Sequence, residues 1–191
     1  MPEQPTITIH PLTAERWADL EALFGPRGAT GGCWCMFFRR PYKEYEASKG
    51  EGNKAALKAL AGEGREPGLI AYVDGTPAGW VSMAPRSEYV RLATSRIAAP
   101  LDERPAWAVV CFYIGRQHRG LGLMRALLDA AVQYAAEHGA QVVEGYPVEP
   151  KTGDAPAVFM YHGVASVFRE AGFEEVARRT EGRPTMRYEV R

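Results

Sequence analysis

The residues best suited to chemistry stand together at Gly115-Arg116-Gln117-His118-Arg119-Gly120-Leu121-Gly122. The glycines at 120 and 122 let several unpaired backbone N–H groups turn toward one anion with no Cβ blocking the approach, and Arg116 and Arg119 supply counter-charge. A pyrophosphate fits such a nest. The plainer alternative, a helix entered through a glycine turn, is weakened by the arginine pair and by the apolar run that precedes it. The segment has neither the Gly-Lys-Ser/Thr of a P-loop nor the Gly-x-Gly-x-x-Gly of a dinucleotide site. A second group is Cys33-Trp34-Cys35, whose sharp reading is zinc. A structural zinc site needs four ligands, no second closely spaced cysteine pair exists, and Cys111 lies inside an apolar run, so no metal is expected. A third is Glu144 with Tyr146, which share a face near the end of a strand. There a carboxylate could take up a proton; the bland alternative is a paired or solvated side chain.

Two elements position the glycine nest. Ala108 to Ile114 is apolar without alternation, so as a strand it must be covered on both faces and belongs in the middle of a sheet. Leu123 to Ala136 carries Ala126, Leu127, Ala130, Ala131 and Tyr134 at helical spacing with Gly139 as terminator, which predicts a helix of about four turns.

The rest of the chain builds around that unit. Thr6 to His10 alternates as a short strand, and Thr13 is placed to cap a helix reaching Phe24. Gly25 to Tyr45 breaks regularity with Gly-Pro, Gly-Gly and Arg-Pro steps, yet carries a heavy load of sulfur and aromatic surface. Asn53 to Leu60 reads as helix. Leu69 to Val73 and Ala78 to Met83, joined across Asp74-Gly75, read as a hairpin. Arg86 to Pro105 is irregular. Val142, Glu144 and Tyr146 mark a fifth strand, parallel to 108–114 because a helix connects them. After a loop from Pro147 to Pro156, a short helix from Gly163 to Ala171 and a hairpin of Phe173 to Arg179 with Thr185 to Val190 close the chain. The reading is a single α/β (α+β) domain over residues 1–191, a central mixed, twisted sheet of about seven strands with helices on both faces.

Composition narrows the function. The 191 residues are 46% hydrophobic and 24% charged, as in ordinary globular proteins, and Lys+Arg balance Asp+Glu at 23 each. No strong basic field invites nucleic acid or an anionic membrane. Met1 to Pro5 lacks the features of a signal peptide, no apolar stretch could span a bilayer, and three cysteines give no disulfide framework, so a cytoplasmic protein is expected. A homodimer is left open.

The glycine segment resembles the cofactor loop of the GNAT superfamily of N-acetyltransferases, Gln/Arg-x-x-Gly-x-Gly/Ala at a strand-to-helix junction. Gln117-His118-Arg119-Gly120-Leu121-Gly122 matches every fixed position. The register that keeps Arg125-Ala126-Leu127-Leu128 on the family's usual helix start is favoured, because sliding the helix would move its buried face. It runs Arg119-Gly120-Leu121-Gly122-Leu123-Met124, with Met124 in place of a small residue. The order of elements, and Ala171-Gly172-Phe173 after a short helix, extend the resemblance over nearly the whole chain; the Cys-Trp-Cys loop is similar to a poorly characterised bacterial branch.

The resemblance implies acetyl-CoA as co-substrate and acetyl transfer to a primary amine, small molecule or peptide, by direct attack in a ternary complex. The alternative is a module that holds acyl-CoA without turnover. It implies Phe112, Tyr113 and Ile114 along the pantetheine arm. Around the pyrophosphate it implies Gln117, His118, Arg119 and Gly120, with Leu121, Gly122, Leu123 and Met124 continuing the loop. Trp34, Phe37, Phe38 and Tyr146 are expected to wall the acceptor pocket. The family's usual acid, a tyrosine four residues before the glycine of Gly-Phe, is Phe168 here. Either the thiolate leaves unaided or another group serves, with Tyr161 and His162 as candidates and solvated loop side chains as the plainer reading. Glu144 is the candidate base, needed because an alkylammonium of pKa near 10.4 is only about one part in 10³ to 10⁴ free amine at pH 7.

Overall fold

The computed structural model describes residues 4–150 and 161–190. Its elements are β1 (Ile7–Pro11), α1 (Trp17–Phe24), α2 (Tyr42–Ala47), α3 (Glu51–Gly62), β2 (Gly68–Val73), β3 (Thr76–Pro85) and α4 (Val90–Ala93). There follow β4 (Ala106–Ile114), α5 (Leu123–Glu137), β5 (Val142–Gly145), α6 (Ala165–Glu170), β6 (Glu174–Thr180) and β7 (Arg183–Glu189). The strands make one sheet in the order β1-β2-β3-β4-β5-β7-β6, and only β4 and β5 run parallel. The mixed seven-stranded sheet expected from the sequence is therefore present.

The non-alternating strands are covered twice. Along β2, Leu69, Ala71 and Val73 pack with Leu127, Leu128 and Ala131 of α5, while Ile70 and Tyr72 face Trp17, Leu20 and Leu57 of α1 and α3. Alternating side chains of one strand thus serve two cores, which is why no polar face is spared. The β2–β3 turn has Asp74 at φ 48° and Gly75 at φ 78°, the pair of positive angles that a tight two-residue hairpin demands.

The central event lies in β4. Pairing with β5 runs from Ala106↔Val142 to Val109↔Gly145 and then stops, whereas β4 continues through Val110–Ile114. On its other edge the register against β3 slips between Met83↔Val109 and Ser82↔Cys111, leaving Val110 as an extra residue. A bulge bends its strand and raises the local twist, so it turns β4 away from β5 at the point where their pairing ends. Phe168 of α6, fully buried, fills the wedge: a Cβ on Gly145 would meet its ring at 2.0 Å and one on Gly163 would meet it at 2.8 Å. Those two glycines make room for one aromatic ring.

Some boundaries differ from expectation. Thr13 does not cap α1, which starts at Trp17 after a turn closed by Arg16 N–H on Thr13 O; the Thr13 hydroxyl is buried without a partner among the described residues. The aromatic segment contains a short helix, α2, entered through Pro41. Helix α6 begins at Ala165, because Gly163 at φ 82° breaks the backbone path, so it does not extend back to Tyr161. The loop expected at 147–156 lies largely outside the described residues.

Candidate active site

A cavity of about 950 Å³ opens at the carboxyl end of β4. Its first wall is the free edge of that strand. Gly115 N–H donates to Ala78 O of β3 (2.9 Å), so by alternation Tyr113 and Cys111 direct their backbone groups to β3. Phe112 and Ile114 then present theirs to the open side, and Phe112, Tyr113 and Ile114 all line the cavity.

The second wall is the glycine loop. Gly120 (φ 81°) and Gly122 (φ 74°, the residue preceding α5) need positive φ, and a Cβ at either would point into empty space. Ala126 N–H is the first to bond back, to Gly122 O at 3.1 Å, so the N–H groups of Leu123, Met124 and Arg125 face out of the helix end. With the helix dipole and the exposed Arg119, this arrangement suits a multiply charged anion. His118, Arg119, Gly120, Gly122, Leu123 and Met124 line the cavity; Gln117 and Leu121 are exposed away from it.

The third wall comes from the aromatic segment, which has its own strain. Trp34 and Cys35 both hold left-handed backbone (φ 42° and 48°), each costing on the order of 1 kcal/mol. The turn sends Trp34 inward, stacked on Trp17 at 5.7 Å and against Phe24, where only a glycine at 28 leaves room for its ring. Trp34 is therefore a core residue and does not line the cavity, contrary to expectation. Phe37 and Phe38 do line it, edge to face at 4.9 Å, with Tyr45 against Phe37 at 5.3 Å.

Three thiols complete this wall. Cys35 Sγ lies 3.7 Å from Cys111 Sγ and accepts the Trp80 Nε1–H at 3.1 Å, and Cys33 Sγ lies 3.7 Å from Gly28 O. Contact with the neighbouring thiol, followed by burial, pushes the Cys33 thiol up. Contact with Cys111 is the largest upward influence on Cys35. Both stay protonated, which suits neither metal ligation nor nucleophilic attack. Among the described residues no His, Cys, Asp or Glu cluster has an arrangement that could hold a metal.

Glu144 and Tyr146 do not join the cavity. Glu144 pairs across to Ala108, four residues and about 13 Å along β4 from Phe112, on the closed side of the wedge. Its buried carboxylate accepts from Arg187 Nε (2.8 Å), Arg86 Nε (3.1 Å) and the Tyr146 hydroxyl (2.6 Å). Arg187 in turn binds Asp102 (2.6 Å), holding that carboxyl well below the usual carboxylate range. Burial first, then the Glu144 charge, pushes the Tyr146 phenol far up. The short β5 is the reason for the correction: the end of that strand coincides with the end of the pairing, not with the mouth of the cavity.

Of the remaining candidates, Tyr161 lines the cavity, and burial raises its phenol pKa, so it is protonated at neutral pH. His162 is buried at the apex of the wedge. Its Nδ1 lies 3.2 Å from Val110 O and its ring packs against Phe38 and Tyr161, outside the cavity lining. Burial lowers its pKa to about 3, so it is neutral, and a carbonyl partner requires the proton on Nδ1. Sequence reasoning overlooked Tyr45 and Cys111 as cavity residues. The alternation of Cys111 with Phe112 was a usable signal, since both faces of a splayed strand reach one gap.

The profile of the acetyltransferase (GNAT) family matches residues 34–163, so the chain belongs to that family. No curated protein matches it. Among solved structures it is similar to the PaiA N-acetyltransferase of Thermoplasma acidophilum in complex with coenzyme A (TM-score 0.53, 14% identity, 97% of this chain and 99% of that one). It is likewise similar to the aminoglycoside N-acetyltransferase AAC(6')-Iy in complex with CoA (0.55, 15%, 93% and 94%). A third likeness is to a GNAT-family acetyltransferase of Listeria monocytogenes (0.57, 10%, 96% and 95%). At these identities the likeness concerns the fold.

Proposed function

We propose that this acetyltransferase uses acetyl-CoA and transfers the acetyl group to a primary amine by direct attack. The observation that carries the reading is the single cavity that joins the free β4 edge and the glycine nest to an aromatic wall. The residues suit the donor. Gly120, Gly122, the α5 N-terminus and Arg119 would hold its pyrophosphate, and the Phe112 and Ile114 backbone would hold the pantetheine amides. Bound there, acetyl-CoA supplies a thioester activated toward amines.

The chain's own contribution is positioning, oxyanion stabilisation by β4 N–H groups and a proton at Tyr161 Oη for the departing sulfur. Phe168 cannot serve, being buried and without a proton to give. Glu144 is held by two guanidinium groups on the closed side, so the amine loses its proton to solvent, directly or through water in the cavity. Turnover should accordingly rise with pH toward the pKa of the acceptor.

A thiol-release assay with acetyl-CoA and a panel of amines, run beside a thermal-shift assay with acetyl-CoA alone, tests this. Expected are a raised Tm and amine-dependent release of CoA. A raised Tm with no release for any amine would favour a module that holds acyl-CoA; no Tm shift would remove the donor assignment.

A further inference from the structure

The chain has three cysteines, and all three line the one cavity. Two segments bring them there. Cys33 and Cys35 come from the strained turn of the aromatic segment, and Cys111 comes from β4, 76 residues beyond Cys35. The Cys35 thiol donates to Cys111 Sγ at 3.7 Å, and its own sulfur is fixed by the Trp80 Nε1–H at 3.1 Å. Cys111 is half-buried, with Sγ 3.8 Å from Phe112 O. A disulfide bond is about 2.05 Å long, so this pair needs its sulfurs to approach by only about 1.7 Å to form one.

The position of the pair matters because of what the cavity suits. Held as proposed for the donor, with its pyrophosphate at Gly120 and Gly122 and its arm along Ile114 and Phe112, a CoA carries its sulfur end to the stretch of β4 that holds Cys111. We propose that the cavity has a second chemistry, thiol–disulfide exchange with CoA disulfide, in which Cys111 takes up one CoA and Cys35 displaces it. This rests on the donor reading. In the first step the Cys111 sulfur bonds to the sulfur of the seated CoA half, the CoA–CoA disulfide breaks, and the other half leaves as a thiol with the Cys111 proton. In the second, Cys35 Sγ bonds to Cys111 Sγ, the Cys111–CoA bond breaks, and the second CoA leaves with the Cys35 proton. Two protein thiols are oxidised to one disulfide and one CoA disulfide is reduced to two CoA thiols. Cys35, buried and protonated at rest, is a poor nucleophile toward an outside partner. Toward Cys111 it is already in contact, and holding two reacting groups together is worth effective molarities of about 10⁵ M or more.

The test mixes reduced protein, free of reductant, with CoA disulfide, with pantethine, which has the same arm and disulfide but no nucleotide end, or with oxidised glutathione. Free thiols are then alkylated and the protein is read by intact and peptide mass. CoA disulfide should oxidise the protein at least about tenfold faster than either of the others, because only it is seated by the glycine nest. Two CoA thiols should appear per protein, the disulfide should map to Cys35 and Cys111 with Cys33 alkylated, and excess acetyl-CoA should slow the reaction. Cys35→Ser should stop at a CoA adduct on Cys111, and Cys111→Ser should form neither adduct nor disulfide.

Mapping in the wild-type protein decides the matter even if a variant folds poorly. A disulfide between Cys33 and Cys35, no oxidation, or equal rates with all three disulfides overturns the proposal. The melting temperature with acetyl-CoA alone separates the two readings: a raised Tm without exchange removes only this chemistry, whereas an unchanged Tm removes the donor assignment on which it rests.

Discussion

The two ends of the β4–β5 wedge handle charge in opposite ways. At the closed end, Glu144, Arg86, Arg187 and Asp102 form a network in which every group has a partner of opposite sign. At the open end, the exposed Arg119 stands without a carboxylate among the described residues, on a cavity walled by aromatic rings and thiols. A buried charge that is fully paired serves the fold, whereas unpaired charge around a cavity is available to a ligand. The most buried carboxylate among the described residues is thus the least available base of them.

That contrast breaks most sharply at Glu144. Glu144→Gln leaves Arg86 and Arg187 facing a neutral amide, and should lower stability by about 3 kcal/mol, read by denaturant unfolding. Activity of the folded variant should stay within a few fold at every pH, because the carboxylate lies behind the wedge. A loss of two orders of magnitude in kcat/KM near pH 7 that recovers at high pH would restore Glu144 as the base.

At the open end, the largest effect falls on the donor. Gly122→Glu puts a carboxylate into the empty space before the α5 N-terminus and forces a side chain onto φ 74°. The stabilisation by acetyl-CoA, about 2.7 kcal/mol at 100 times Kd, should disappear from thermal melts while the unliganded protein stays folded. An unchanged shift would mean the anion binds elsewhere. Next comes Tyr161→Phe, which removes the proton at the cavity without moving a wall. A fall of about tenfold in kcat, worth about 1.4 kcal/mol, with the acetyl-CoA Kd unchanged, is expected; an unaltered kcat would show that the thiolate departs unaided.

How much of this was legible in the sequence depends on the range of the interactions involved. The glycine nest was legible because strand, turn and helix are contiguous, and its chemistry is written in backbone angles that only glycine takes easily. The sheet was legible because β2 and β4 are apolar without alternation. The roles of Glu144 and Trp34 were not, since each depends on what a distant segment brings. Arg86 and Arg187 reach Glu144 across 58 and 43 residues, and Trp17 and Phe24 take in Trp34.

The smallest effect sharpens the comparison at the apex, where His162 separates the two ends. Its folded pKa of about 3 lies below the unfolded value near 6.5, so between these limits the unfolded chain binds a proton that the native chain refuses. Stability is therefore full above about pH 6.5 and falls as pH drops, by about 0.8 kcal/mol at pH 6 and then by up to about 1.4 kcal/mol per pH unit. Asp102, whose folded pKa is depressed, adds acid sensitivity only below the ordinary carboxylate range, so the two contributions separate along the pH axis. Measuring unfolding free energy from pH 7.5 to 5 for the wild type and His162→Gln isolates the histidine: the glutamine amide can still donate to Val110 O but does not titrate, and the slope below pH 6.5 should flatten. If both proteins lose stability in parallel, the apex histidine is already solvated in the native state. The wedge would then be open through to its closed end, and the separation of a paired, structural end from an unpaired, ligand-facing one would fail where the two ends meet.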